Sequence, residues 1–560
     1  MKRPEHWQAY PVPPMRAQAI FGDRVVRCFD NRPAHLPEML ADTIARHPLA
    51  EALVCGDTRL TYADLDRQVA HLGAGLAALG VAVGDRVVVF IDNRPEFVLV
   101  LLALLRLGAV AVPVGVREQR PGLSYIVRQC AAVALVADAG LSDRLPRASD
   151  APALRWTLLV DEQEAEQDAE QDVEPTSSAA GLAGTDGLAG QALWLHALGD
   201  SRAAAFAWHQ PVETDVAVIL YTSGTTGHPK GAMLTHLNIV HSLLHYQACM
   251  RLQPDDRSAL AVPASHVTGL VAVVLAMFRI GGCVVVLPGF KADAFIALMA
   301  RERITHTLMV PAMYTLCLMS PALAGADLST WRVGGYGGAP MPATSIDALA
   351  ARLPALTLLN AYGATETSSP ASLMPAGQTR SHADSVGVAL PAADILVMDD
   401  DGRAVAPGET GELWIAGPMV VPGYWANPEA NAASFTAGYW HSGDLGSVDA
   451  QGYVRVYDRK KDMLNRGGFK IYSVEVENTL MGWPGLVEAA IVGRPCPVLG
   501  ERVHAYVHAP GQPADDAALR QFCAARLSDY KVPETFTWCT EPLPRNANGK
   551  LMKRLLREQL

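Results

Sequence analysis

The chain has 560 residues, half of them hydrophobic, and a formal net charge of −11. That length exceeds what one core organises, so a globular protein of two or more domains is expected. The acidic balance argues against nucleic acid or an anionic membrane as the main partner, because either would favour a basic face.

The start, Met1 to Trp7, lacks the apolar segment of a signal peptide. Apolar residues recur at helical spacing from Leu36 to Ile44, and Ala52 to Cys55, Gly56-Asp57 and Thr58 to Tyr62 read as a hairpin with a two-residue turn. Thr61, with Asp64 three residues on, caps a helix that runs to about Leu79 and stops at Gly80. Arg86 to Ile91 is a strand, Pro95 to Leu107 a helix and Ala109 to Val112 a strand again. This alternation predicts a parallel sheet covered on both faces. Asp161 to Glu174, almost all Asp, Glu, Gln and Ala, reads as a solvated insertion, with an acidic docking patch as the alternative.

The most apolar stretches are interrupted by Arg106, Gly108 and Pro113, and by Arg279, Gly281 and Gly282, so no integral membrane segment is expected. The cysteines stand singly, without a CxxC pair or metal-ligand spacing, and read as reduced thiols. A soluble, cytoplasmic protein is the expectation.

At Tyr221 to Gly231 an apolar strand, Val216 to Leu220, runs into Tyr-Thr-Ser-Gly-Thr-Thr-Gly-His-Pro-Lys-Gly. A helix is predicted to follow over Ala232 to Tyr246, capped by Thr235. Gly224 and Gly227 let the backbone turn its N–H groups toward an anion, Thr222, Ser223, Thr225 and Thr226 add hydroxyl donors, and Lys230 adds a charge. The residue types suit phosphate. A Walker loop is excluded, because Lys230 is followed by Gly231 and Ala232 rather than Ser or Thr.

Further on, His266 sits where Ala261 to Leu270 joins an apolar helix, Val271 to Arg279, ahead of a strand over Cys283 to Leu287. By itself it reads as a satisfied core histidine. Val333 to Pro342 and Leu359 to Ser369 are strand ends opening into glycine-rich turns, suited to backbone lying close to a flat ligand. Asp444 falls in a glycine-flanked turn within Tyr439 to Gly446. A basic run, Tyr457 to Ile471, precedes a tail with a helix near Val474 to Met481, strands at Val487 to Val492 and Arg502 to Val507, and a helix over Asp515 to Leu527. That tail reads as a small α+β domain ending in Pro544-Arg-Asn-Ala-Asn-Gly-Lys550.

Together these motifs, in this order from Tyr221 to Lys550, resemble those of the adenylate-forming superfamily of acyl- and aryl-CoA synthetases, peptide-synthetase adenylation domains and beetle luciferases. The resemblance implies an α/β fold. A large N-terminal region, residues 1–460, would hold two α/β subdomains and a distorted β-barrel; a small mobile α+β domain, residues 461–560, would hinge near Lys461.

By the same resemblance Thr222, Ser223, Gly224, Thr226, Gly227 and Lys230 hold phosphate, and Thr225, His266, Glu366 and Lys550 are catalytic. Gly338, Ala339, Pro340, Asn360 and Tyr362 line adenine, with Gly363 beside them, Thr365 contacts the α-phosphate, and Glu366 holds Mg2+. Mg2+ agrees with a carboxylate plus phosphate oxygens as ligands. Asp444 would accept both ribose hydroxyls, Arg459 would add a second ribose contact, and the Gly467-Gly468 loop would reach the thiol tunnel.

The implied reaction is carboxylate:CoA ligation. ATP gives an acyl-adenylate and pyrophosphate, and coenzyme A then displaces AMP after the C-terminal domain rotates. Peptide-synthetase domains carry an aspartate at the place of His266 to pair with an amino group, so an α-amino acid substrate is not expected. The Tyr-Gly-Gly-Ala-Pro-Met-Pro segment resembles that of fatty-acyl synthetases and implies an aliphatic or alicyclic acid. The alternatives are an acyl-AMP ligase loading an acyl carrier protein, and a nucleotide-binding relic without turnover.

Overall fold

The computed structural model describes residues 5–160, 187–198, 208–222, 229–511, 515–545 and 551–560. The acidic stretch Asp161 to Glu174 lies outside the described residues. The chain divides into two compact units, one of residues 1–395 and 415–440, the other of 396–414 and 441–560.

The first unit contains two large sheets. In one, Val110–Pro113, Arg86–Phe90, Ala134–Asp138, Trp156–Val160 and Gln191–Trp194 run parallel, with Val216–Thr222 parallel beside Val110–Pro113 and Lys230–Thr235 antiparallel at the edge. Its central strands, Arg86–Phe90 and Val110–Pro113, are rich in valine and almost wholly buried, as parallel strands covered on both faces must be, and Val88, Phe90, Val112, Ile126, Leu135 and Ile219 pack in one core.

The other sheet has parallel strands Thr357–Tyr362, Val333–Tyr336, His306–Met309, Arg257–Leu260, Cys283–Val286 and Glu51–Cys55, flanked by short antiparallel strands. Val54, Val285, Phe295, Tyr314 and Trp331 build its core. The predicted hairpin is present, with Cys55 opposite Thr58. Thr61 caps the helix Tyr62–Ala78 by accepting from Asp64 N–H, while the Asp64 carboxylate accepts from Thr61 N–H.

Two local expectations are corrected. The helix expected from Ala232 begins only at His236, because Lys230–Thr235 is a strand paired antiparallel with Val216–Thr222. The described residues on either side, Thr222 and Lys230, therefore belong to two paired strands rather than to a strand and a helix; Thr235 is the helix cap, accepting from Asn238 N–H. Asp444 is not in a turn but inside a long strand, Tyr439–Val448, which pairs with Val454–Arg459 and is bulged between Leu445 and Gly446. The bulge and the left-handed Gly443, at φ +67°, let glycines stand in that strand. The apolar segment after His266 is helical but wound as a π-helix over Thr268–Leu275 before Ala276–Ile280.

In the second unit a mixed sheet runs Phe469–Ile471, Leu464–Arg466, Gly500–His508 and Glu488–Cys496, with Thr535–Cys539 parallel to Gly500–His508. Helices Ser473–Leu480 and Asp516–Ala524 contribute Val476, Leu480, Leu519 and Cys523 to a core with Leu464, Ile491 and Val503. No helix among the described residues is long and apolar enough to cross a membrane.

Candidate functional site

In the first unit the site is built around Glu366. Strand Thr357–Tyr362 ends in a tight turn, and Glu366 lies in the short 3-10 helix Thr365–Thr367 that follows. The residue is 7% exposed. Tyr424 Oη donates to Glu366 Oε1 at 2.9 Å, and Thr222 Oγ1 lies 3.5 Å from the same oxygen. Lys230 Nζ stands 5.1 Å from the centroid of the Tyr424 ring, close enough for a cation–π contact. Burial, and then the adjoining carboxylate, push the Tyr424 phenol far above its usual range, so it stays a donor.

The backbone explains how these residues meet. Met233 N–H donates to Gly423 O at 3.0 Å and Trp425 N–H to Gly231 O at 2.7 Å, fastening Tyr424 against the strand that carries Lys230. Asn431 then clamps Tyr424, accepting its N–H at 2.6 Å and donating to its carbonyl at 3.1 Å. Val421 N–H donates to Glu366 O at 2.9 Å. The structure thus brings Thr222, Lys230 and Glu366 together around Tyr424. Ser223, Gly224, Thr225, Thr226 and Gly227 themselves lie outside the described residues.

Gly338, Ala339 and Pro340 are exposed beyond the end of strand Val333–Tyr336, and Asn360 and Tyr362 close the parallel neighbour, with Tyr336 opposite Asn360. Ligands of open α/β sheets bind at such carboxyl ends. Glycine is required here on two grounds. Gly338 has φ +78°, and a Cβ on Gly363 would lie 1.6 Å from Ser369 O. Asn360 is held by its amide donating to Ser385 O at 3.2 Å. Thr365 is half-buried at the start of the Glu366 turn.

His266 is part-buried before the π-helix. Its Nδ1 accepts Thr268 N–H at 3.3 Å and lies 3.2 Å from Thr268 Oγ1. The segment ahead of it is tied by Asn93, which donates to Val262 O at 2.9 Å and accepts Ala264 N–H at 2.8 Å.

In the second unit Asp444 and Arg459 face each other across an antiparallel pair. Arg459 Nε is 2.7 Å from Asp444 Oδ1, and Arg459 Nη1 donates to Ser442 O at 3.3 Å. The Asp444 side chain is 7% exposed and that of Arg459 37%. Glu412 steadies this strand, accepting Gly443 N–H at 3.1 Å, and its other oxygen meets Lys460 Nζ at 3.3 Å. Gly467 and Gly468, at φ +60° and +91°, form the two-residue turn between Leu464–Arg466 and Phe469–Ile471. Lys550 lies outside the described residues.

Tyr424, Asn93 and Glu412 were not among the residues singled out in the sequence. Tyr424 lies in Pro-Gly-Tyr-Trp, whose only local signal is the turn chemistry of Pro422-Gly423.

A family model described as AMP-binding enzyme matches residues 40–425, and one described as AMP-binding enzyme C-terminal domain matches residues 475–550. A feruloyl-CoA synthase from an Amycolatopsis species is 35% identical over 513 residues, 91% of this chain and 96% of the relative. A long-chain-fatty-acid–CoA ligase of Mycobacterium tuberculosis is 32% identical over 506 residues, 90% of this chain and 93% of the relative. The solved structure of ATP-bound MatB from Rhodopseudomonas palustris superposes with a TM-score of 0.81 at 29% identity, covering 94% of this chain and 99% of that one.

Proposed function

The chain belongs to the AMP-binding enzyme family and is an AMP-forming acid–thiol ligase, and from that premise we propose that Glu366 is the residue through which it holds Mg2+ with ATP. The buried Glu366 carboxylate, aimed by Tyr424 and Thr222 and adjoined by Lys230, carries this reading. The donor set fits the ion. Mg2+ takes one or two carboxylates with phosphate oxygens and water, and among the described residues no cluster of three or more His, Cys, Asp or Glu could form an all-protein cage. When bound, the ion would neutralise charge on the transferring phosphate.

The reaction has two halves. The substrate carboxylate attacks the α-phosphorus of ATP, breaking the bond to pyrophosphate and forming an acyl-adenylate. The thiol of coenzyme A then attacks the acyl carbon and AMP leaves, giving the thioester. In our reading Thr222, Lys230 and the Ser223 to Gly227 loop, Thr225 included, hold the triphosphate. Gly338, Ala339, Pro340, Asn360, Tyr362 and Gly363 border adenine, Thr365 meets the α-phosphate, and Asp444 with Arg459 takes the ribose. Lys550 screens carboxylate from phosphate; a unit charge pair at about 4 Å interacts by roughly 4 kcal/mol at an effective dielectric of 20. Residues 461–560 turn about Lys461 between the halves, bringing Gly467 and Gly468 to the thiol.

The acid we propose has a neutral, largely apolar tail and binds beside His266. The apolar segment Val267 to Leu275 supports this, and the aryl and long-chain acyl groups in the relatives' names extend the range from aliphatic to aromatic tails. We place the enzyme in the cytoplasm, with its free cysteines as thiols. Pyrophosphate release across a panel of aliphatic, aromatic and amino acids, with Mg2+ present or chelated and with CoA or an acyl carrier protein as acceptor, tests all of this. Release that survives chelation, or that is greatest with a free amino acid, refutes it.

A further inference from the structure

The second unit holds a charge cluster, buried at Asp458 and part-buried at Glu477 and Lys553, that neither half-reaction, as described, uses. Asp458 is 3% exposed. Its Oδ1 accepts from Ser473 Oγ at 3.0 Å and from the backbone N–H of Arg459 at 2.8 Å, and its Oδ2 accepts the backbone N–H of Ser473, the first residue of helix Ser473–Leu480. Lys553, on the last helix, donates to Ser473 Oγ and stands 2.6 Å from Glu477 Oε1, which also accepts Ile491 N–H at 2.7 Å. Burial raises both carboxyl groups above their ordinary range, and Lys553 draws both back down.

The order of these residues along the chain gives the cluster its meaning. Asp458 lies ahead of Lys461, whereas Ser473, Glu477 and Lys553 follow it. The chain leaves strand Val454–Arg459, passes Lys461 and the Gly467-Gly468 turn, and returns to bind the strand it left. Arg557 closes the same loop from the last helix, 2.8 Å from Asp462 Oδ1 and donating to Lys461 O at 3.4 Å.

We propose that Asp458 and Lys553 are positioning residues of the ligase reaction, a clasp across Lys461 that holds the arrangement used for adenylation and opens before the thioester forms. The proposal rests on the reading that a turn about Lys461 separates the two halves. One carboxylate does two things: it anchors the helix that follows the pivot, and it fixes the backbone of Arg459, the residue paired with Asp444. A hydrogen bond does not survive a donor–acceptor separation much beyond about 3.5 Å, so groups on opposite sides of a turning residue part early in the motion. The parting is clean. Lys553 keeps Glu477, which lies on its own side of the pivot, and Asp458 and the N–H of Ser473 are surrendered to water.

The test uses the full-length enzyme and Asp458→Asn, Lys553→Met, Lys553→Arg and Ser473→Ala. Adenylation is read as acid-dependent pyrophosphate exchange, and thioester formation as single-turnover, CoA-dependent consumption of pre-formed acyl-adenylate. Asp458→Asn and Lys553→Met should slow the first at least about tenfold, mainly in kcat, and change the second less than about threefold. Lys553→Arg should recover most of the adenylation rate. An equal loss in both halves, or no loss in either, overturns the clasp. Should Asp458→Asn fail to fold, Ser473→Ala removes a single hydroxyl and decides the matter with the same two rates. Lys461→Pro separates this claim from the one beneath it. If Lys461→Pro splits the halves and Asp458→Asn does not, the clasp alone falls; if Lys461→Pro leaves both rates intact, the pivot falls.

Discussion

Tyr424→Phe isolates the hydrogen bond that orients Glu366. The ring stays, so packing and the Lys230 contact at 5.1 Å persist, and only the 2.9 Å donor to Glu366 Oε1 is lost. Two effects then oppose each other. A lone pair of Oε1 is freed for a cation, but the carboxylate is left with Thr222 at 3.5 Å as the remaining named side-chain donor to that oxygen and loses its fixed orientation. Hydrogen bonds to charged groups contribute about 1.5–3 kcal/mol, and a Glu366 that is 7% exposed has little water to replace one. Orientation wins on that magnitude. The expected loss in kcat/KM for ATP is roughly tenfold to a hundredfold, with the Mg2+ concentration for half-maximal rate raised. Tyr424→Leu, which also removes the ring face beneath Lys230, should cost up to about 1 kcal/mol more. The assay is pyrophosphate exchange with ATP and Mg2+ varied independently. A Phe variant with wild-type kcat/KM and an unchanged Mg2+ dependence would show that Glu366 is not the residue that positions the ion.

Lys550→Ala should slow adenylation about a hundredfold or more, with thioester formation from supplied acyl-adenylate less affected; equal loss in both halves contradicts its assigned role. Asp444→Asn should raise KM for ATP about tenfold and narrow the preference for ATP over its 2′-deoxy analogue, measured by competition; undiminished discrimination would remove Asp444 from the ribose site. Lys461→Pro, with φ fixed near −65°, should spare adenylation and depress the thiol half-reaction, read as CoA-dependent consumption of acyl-adenylate. Saturable pyrophosphate exchange with any free amino acid, at rates rivalling those with apolar acids, would overturn the reading of His266.

The fold class was legible because its signals are local. β-branched runs such as Val87 to Val89 alternate with amphipathic stretches, and Thr61 with Asp64 announces a helix start from two side chains and one turn of backbone. The same locality failed at Lys230–Thr235. Six residues of mixed character between a glycine-rich loop and a capped helix carry no period, and only the antiparallel partner Val216–Thr222 makes them a strand. Asp444 misled for the opposite reason: its flanking glycines look like a turn, but a bulge absorbs them within a paired strand.

Long-range partners were the residues no motif revealed. Glu366 can be singled out from Tyr-Gly-Ala-Thr-Glu-Thr, but Tyr424, which aims it, is 58 positions away in an ordinary Pro-Gly-Tyr-Trp. Lys553 meets Ser473 across 80 positions, and neither residue type stands out in its own neighbourhood. The difference is physical. A glycine with positive φ or a capping pair answers a constraint of its own few residues, so the sequence there is restricted on its face. A buried carboxylate's partner answers a constraint of the fold, because desolvation must be offset by whichever donor the chain brings near. Motifs therefore mark the groups proposed to touch ATP, and the packed structure alone shows what aims them.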